Sequence, residues 1–136
     1  MNTFLFLSQL LNGVLDGFYY LLIAIGLSLI FSLGGIVNLA HGAFFAIGAY
    51  LAIVVSPYTG FFGAVIVVPL LVAGLGMVTE RLLFTRFYRA DPLYSLLLTF
   101  GLAMVIEQSL RWIFGSAPLA YNIPELLRGQ VLLGDF

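Results

Sequence analysis

Long apolar runs separated by short polar clusters dominate this chain. From Gly17 to Thr79 it contains no Asp, Glu, Lys or Arg. A charged side chain at the centre of a bilayer costs roughly 2.5 to 3.5 kcal/mol on insertion scales, so a charge-free run of this length is typical of segments surrounded by lipid. Because about 20 apolar residues cross the hydrocarbon once, the pattern predicts an all-α, polytopic membrane bundle with about four transmembrane helices.

The first helices are bounded by polar and aromatic residues. Residues 3–15 predict a short apolar helix that lies at the membrane interface or leads into the next segment. The first full span is expected over Gly17–Val37, which begins with aromatic side chains of the kind found at headgroup level.

The later spans follow the same pattern. Ala43–Ser56 would reach about 21 Å as a helix, which is short for a hydrocarbon core of roughly 30 Å. Pro57–Gly60 predicts a turn from its Pro and Gly placement. Two further spans are expected at Phe61–Thr79, bent at Pro69, and at Leu93–Phe114.

Small residues at helical spacing predict close helix packing. Ala24, Ser28 and Ser32 recur every fourth residue and would share one face of the first span. Gly13 and Gly17 have the spacing of a GxxxG motif, which lets another helix approach closely but is a weak signal alone. We therefore expect these five positions to contribute to packing between helices.

The cluster Asn38-Leu39-Ala40-His41-Gly42 interrupts the apolar sequence and is the most informative short stretch. In one interpretation it is an irregular break near one membrane face, beside a translocation pathway, where Asn38 and His41 hydrogen-bond neighbouring backbone. In the other it is a plain connecting turn with His41 at the interface. The candidate pathway residues are Asn38, His41 and Gly42.

Charged residues cluster after the third apolar run. Three of the five basic residues lie within Glu80–Asp91, so the positive-inside rule predicts that this loop faces the cytoplasm. Beyond setting topology, its charges could contact a cytoplasmic partner or anionic lipid. The residues concerned are Glu80, Arg81, Arg86 and Arg89. In the last span, Glu107 and Arg111 have the spacing of a favourable helical ion pair.

Composition narrows the function classes. Hydrophobic residues make up 62% of the chain and charged residues 8%, against roughly 25% charged residues in an ordinary soluble domain. With a net charge of −1, nothing in the chain suggests nucleic-acid binding, which would need a clustered basic face. One His and no Cys predict no metal site, and no phosphate-binding or nucleophile motif is present. We expect neither a cofactor nor catalysis by this chain.

Several of these motifs occur together in a recognisable order. The motifs are Asn12-Gly13, Tyr20 to Gly26, Asn38 to Gly42 followed by Ile47-Gly48-Ala49-Tyr50, Glu80-Arg81-Leu82-Leu83 with Tyr88-Arg89, and Leu97-Leu98-Thr99-Phe100-Gly101-Leu102. In this order they resemble the LivH-type permeases of branched-chain amino acid ABC importers. The element around His41 is the most diagnostic, and the resemblance covers nearly the whole chain.

The resemblance implies a multi-pass permease subunit in the inner membrane of a bacterial or archaeal cell. It would pair with a second permease, two ATP-binding subunits that hydrolyse ATP, and an extracytoplasmic solute-binding protein. Permeases of this family are about twice as long and carry the ATPase-docking coupling helix in their later half. Residues 1–136 are therefore expected to be the N-terminal part of one transmembrane permease domain, without that helix.

The expected function is passage of branched-chain or related small amino acids along a pathway to which this chain contributes. The residues alone are also compatible with a different class of protein. The alternative is a small polytopic membrane scaffold or assembly protein with no transport role of its own, in which the polar cluster is a turn.

Overall fold

The computed structural model describes residues 3–87, 91–121 and 124, and over these residues it contains helices and no strand. The elements are α1 (Thr3–Gly34), α2 (His41–Leu82), a short 3-10 turn (Phe84–Arg86) and α3 (Pro92–Phe114). In this part of the chain, three helices are long and apolar enough to cross a membrane. The predicted all-α class is confirmed, whereas the described residues form three continuous helices where about four were predicted, because α2 joins two of the predicted spans.

α1 is one uninterrupted helix of 32 residues. Residues 3–15 therefore lead directly into the first span, which was one of the two alternatives, and they do not form a separate interfacial helix. No proline lies in this segment, and a single glycine weakens a helix by only about 1 kcal/mol. α1 ends at Gly34 rather than at Val37, because Gly35 adopts a φ of 65° that terminates helices. The Gly35 amide donates to the carbonyl oxygen of Phe31 at 2.8 Å.

α2 reverses direction at Gly60. This residue has φ 71° and ψ 175°, a backbone conformation that is essentially confined to glycine. A Cβ placed on Gly48 would lie 3.7 Å from Val72 Cγ2, although a straight helix would separate these positions by about 36 Å. Residues 41–59 and 61–82 therefore pack side by side as a helical hairpin.

This reversal explains the miscounted helices. A four-residue turn was predicted, but Pro57, Tyr58 and Thr59 are helical and only Gly60 departs from helical geometry. The segments before and after Gly60 are therefore counted as one long helix. The first part of α2 is then about 28 Å long and the second about 33 Å, each close to one bilayer thickness. The first part was expected to be too short to cross, and this is wrong because it is helical up to Thr59 rather than Ser56. In the second part, the backbone remains helical at Pro69.

α3 packs along the first part of α2. The rings of Tyr50 and Phe114 have centroids 4.6 Å apart. α3 begins where the Asp91 carboxylate accepts a hydrogen bond from the Leu93 amide at 2.9 Å, and it ends at Gly115, whose φ is 80°. The predicted last span is confirmed, with its start one residue earlier than expected.

Candidate functional site

The predicted break is confirmed as a non-helical stretch over residues 35–40, between α1 and α2. His41 and Gly42, which we expected within it, are instead the first two residues of α2. A space of about 470 Å³ separates the break from the start of α3, and Val37, Phe87 and Leu96 help to line it. The break therefore lies at the end of the bundle that carries the arginine-bearing connection between α2 and α3.

Asn38 shapes the break through local hydrogen bonds. Its side-chain Oδ1 accepts from the Ala40 amide at 3.0 Å, and its carbonyl oxygen accepts from the His41 amide at 3.2 Å. An Asn side chain that bonds the backbone two residues on forms a turn of its own and directs the chain into the next helix. A plain connecting turn could make the same bonds, so the pathway role of Asn38 stays a prediction.

His41 packs against the backbone of α1. A Cβ placed on Gly26 would lie 2.6 Å from His41 Cε1 and closer still to Nε2, so the ring occupies the space that a side chain at Gly26 would need. Gly26 lies about 12 Å along α1 from its end at Gly34. α2 thus begins alongside α1, well in from the end of that helix, and His41 is half-buried there.

The two parts of α2, together with Ile30, Asn38 and Phe84, line an open cavity of about 610 Å³ that we call the hairpin cavity. Its polar lining consists of Asn38, His41 and Glu80. The rest of the lining is apolar and comprises Ile30, Phe44, Phe45, Gly48, Ala49, Val68, Pro69, Val72, Gly76 and Phe84. A small solute with polar groups and an aliphatic side chain matches this division of the surface.

Glu80 and Arg81 do not belong to the loop in which we predicted them. Both lie in the last turn of α2, which continues to Leu82 because Arg and Leu are good helix formers. Glu80 is half-buried and reaches the hairpin cavity, whereas Arg81 is exposed. Arg86 lies exposed in the 3-10 turn, and Arg89 falls outside the described residues.

The residues predicted to mediate helix packing face outward in this chain. The face of α1 that contacts α2 carries half-buried Ile23, Gly26, Leu27 and Ile30. Ala24, Ser28 and Ser32 lie on exposed faces, and within the described residues no atom comes within 4 Å of a Cβ placed on Gly13 or Gly17. A packing role for these five residues remains a prediction, and it would require a helix other than those of the described residues to pack against α1.

Sequence reasoning missed Gly26 as the partner of His41. One signal was present: a glycine inside an apolar helix costs about 1 kcal/mol relative to alanine, and close approach of another group is the usual reason for it. It also missed Glu80 as a cavity residue, because the end of α2 was placed before Glu80. In both cases the contact depends on a tertiary fold that helical spacing does not encode.

A second groove, which we call the α2/α3 groove, has a volume of about 440 Å³ and runs between the first part of α2 and α3. Its lining includes Gly42 and the predicted ion pair, which is confirmed with Arg111 Nη2 and Glu107 Oε1 2.6 Å apart. The remaining lining residues are Leu39, Ala43, Ala46, Tyr50, Ala103 and Leu110.

Comparisons with known proteins agree on one family. A family model described as "Branched-chain amino acid transport system / permease component" matches residues 9–123. High-affinity branched-chain amino acid transport system permease protein LivH of Salmonella typhimurium is 28% identical over 96% of this chain and 45% of the relative.

Two further relatives carry similar names. LivH of Escherichia coli (strain K12) is 27% identical over 95% of this chain and 44% of its own length. BraD of Pseudomonas aeruginosa is 27% identical over 96% of this chain and 45% of its own length. The chain thus spans less than half the length of these relatives. No solved structure matches it.

Proposed function

Because this chain belongs to the branched-chain amino acid transport permease family, we propose that it forms part of the translocation pathway of an ABC importer. Its solutes would be branched-chain or related small amino acids. One observation carries the proposal: the region matched by the family model contains a polar break that opens onto a cavity between helices of spanning length.

The structure supports a pathway role for the break on physical grounds. Irregular backbone is tolerated at membrane depth only where protein buries it or where it lines a cavity. Residues 35–40 border two such spaces, one beside the start of α3 and one within the hairpin. Of the candidate pathway residues, Asn38 and His41 line the hairpin cavity, and Gly42 lines the α2/α3 groove.

The chain is a multi-pass membrane protein, and its location and partners are proposals. We place it in the inner membrane of a bacterial or archaeal cell. It would assemble with a second permease, two ATP-binding subunits and an extracytoplasmic solute-binding protein, and the ATP-binding subunits would hydrolyse ATP. Residues 1–136 would supply the N-terminal part of the permease domain, and the coupling segment would come from sequence beyond them.

Uptake measurements test this function. The chain, together with the permease sequence that supplies the coupling segment, would be reconstituted with the proposed partner subunits in proteoliposomes, and ATP-dependent uptake of labelled leucine would be followed. Val72→Trp places a large ring in the hairpin cavity, whereas Val78→Trp places it on an exposed face of the same helix. We expect uptake with the unsubstituted chain and with Val78→Trp, and loss of uptake with Val72→Trp.

The scaffold alternative predicts a different outcome. The chain would then assemble with membrane partners but would support no leucine uptake, and both tryptophan variants would behave like the unsubstituted chain. Recovery of intact complexes without uptake would therefore reject the permease function and favour an assembly role.

A further inference from the structure

The ion pair between Glu107 and Arg111 lies within a helix of spanning length and is open to its surroundings. α3 is about 34 Å long, and Glu107 lies about 10 Å in from Phe114. The side chains of Arg111 and Glu107 are 61% and 64% exposed. Ionisable groups at such depth are costly next to lipid, and they commonly face a cavity on a substrate or ion path.

The surface beside this pair is apolar and has room for a ligand. Ala43, Ala46 and Ala103 line the α2/α3 groove with short side chains, and the two charges lie along the same space. The groove therefore joins one carboxylate and one guanidinium to an aliphatic wall within about 440 Å³.

We propose that the α2/α3 groove binds the zwitterion of an aliphatic amino acid. The Glu107 carboxylate would accept hydrogen bonds from the ligand ammonium group, and the Arg111 guanidinium would donate to the ligand carboxylate. The ligand side chain would lie against Ala43, Ala46 and Ala103. The choice of an amino acid as ligand depends on the proposed function. The match between a zwitterion and the two charges beside an apolar wall depends only on the groove.

The existing ion pair does not block this arrangement. A guanidinium has five N–H donors and a carboxylate has two acceptor oxygens, so a single contact between Nη2 and Oε1 leaves groups available on both. The pair and the zwitterion each have zero net charge, and their opposite charges would lie side by side. Binding therefore brings no uncompensated charge into the membrane, which is the costly step for an ionic ligand.

The position of the groove also suits capture from outside. Glu107 and Arg111 lie toward the end of α3 that is remote from the arginine-bearing connection. By the positive-inside rule that connection faces the cytoplasm, so the ion pair lies toward the outer face. A solute delivered from that side would meet the ion pair first, and the groove then extends along the first part of α2 from Tyr50 to Leu39.

Binding to the chain in lipid nanodiscs tests the proposal with three probes. Leucine carries both charges, isocaproate lacks the ammonium group and isoamylamine lacks the carboxylate. We expect leucine to bind about tenfold or more tightly than either analogue, since each lacks one charge-assisted hydrogen bond. Glu107→Gln should weaken leucine binding by about the same factor but should not weaken isocaproate binding, because Arg111 loses the carboxylate that competes with this anion. Arg111→Gln should weaken leucine binding but should not weaken isoamylamine binding, because Glu107 loses the guanidinium that competes with this cation.

Gln108→Ala serves as the matched control, because Gln108 is exposed on the same helix but does not line the groove. Unchanged helical content and melting temperature would show that the variants are folded. Equal weakening of all three probes by one substitution, or no effect of either substitution, would overturn the proposal. The pair would then act only as an ion pair anchored at the interface.

Uptake by the assembled transporter separates this inference from the proposed function. Uptake that survives both Glu107→Gln and Arg111→Gln would reject the groove site and leave the permease function standing. Leucine binding to the chain with the predicted probe pattern, but without uptake by any assembled complex, would support the site and reject the permease function.

Discussion

The imidazole of His41 occupies the space beside Gly26 at the contact between α1 and α2. A Cβ on Gly26 would lie 2.6 Å from His41 Cε1, a separation that real Cβ contacts do not show. The two helices approach this closely because residue 26 has no side chain. The contact lies directly after the break and beside the hairpin cavity, which His41 also lines.

Gly26→Ala should therefore destabilise the packing of α1 against α2. The new methyl group forces either the His41 ring or α1 to move, and overpacking of this kind costs about 1 to 3 kcal/mol. We expect a lower melting temperature in detergent, measured by circular dichroism. Gly13→Ala is the matched control, because nothing in the described residues lies within 4 Å of a Cβ there and alanine favours a helix.

A second substitution identifies the atoms responsible. His41→Ala removes the ring that the methyl group meets, so Gly26→Ala should cost little stability in a His41→Ala background. Such coupling between contacting residues is what a double-mutant cycle measures. An equal loss of stability from Gly26→Ala in both backgrounds would contradict the contact.

The hairpin predicts a specific cross-link. Because the chain contains no cysteine, Gly48→Cys with Val72→Cys introduces a single pair of thiols. Their side chains should be close enough for a disulfide, which needs Cβ atoms about 4 Å apart. Mild oxidation should therefore yield the bridged form, detected by mass spectrometry. Gly48→Cys with Leu70→Cys, which is exposed on the outer side, should react far less. Absence of the first bridge would contradict the reversal.

Gly60 should resist substitution more than other glycines of α2. Its φ of 71° and ψ of 175° are strained for any residue with a Cβ, at a cost of about 1 to 3 kcal/mol. Gly60→Ala should lower the melting temperature and reduce the cross-link between positions 48 and 72. Gly74→Ala has helical geometry and open space around it, so it should leave both measurements unchanged or raise stability. Equal behaviour of the two variants would show that residue 60 does not set the reversal.

The sequence was sufficient to predict membrane helices and the position of the break. Those features follow from hydropathy and from the polar run around Asn38, which act locally. It was not sufficient to place the reversal of α2, because Pro57 and Gly60 predict a turn without its length. A single glycine in a conformation open only to glycine replaced the expected loop, and residues before it stayed helical.

The site was less predictable than the fold. Asn38 could be identified because its hydrogen bonds are local, whereas the partners of His41 come from distant parts of the chain. Gly26 meets His41 because the break turns the chain back along α1. Glu80 lines the same cavity as His41 because α2 reverses at Gly60. Helical periodicity indicates which residues share a face, but it does not say which face another helix will cover.

Orientation in the membrane gives a final prediction that depends on charge alone. Arg86 lies exposed in the turn between α2 and α3, and Ser116 lies exposed beyond the end of α3. Arg86→Cys should react with an impermeant thiol reagent only from the cytoplasmic side, and Ser116→Cys only from the outer side.

His41→Cys tests the break in the same cysteine-free background. A pathway open to water predicts that this thiol is labelled from at least one side. Leu29→Cys, on the exposed face of α1, should stay unlabelled in lipid. Labelling of Arg86→Cys from outside would reverse the topology and move the ion pair of Glu107 and Arg111 to the cytoplasmic half.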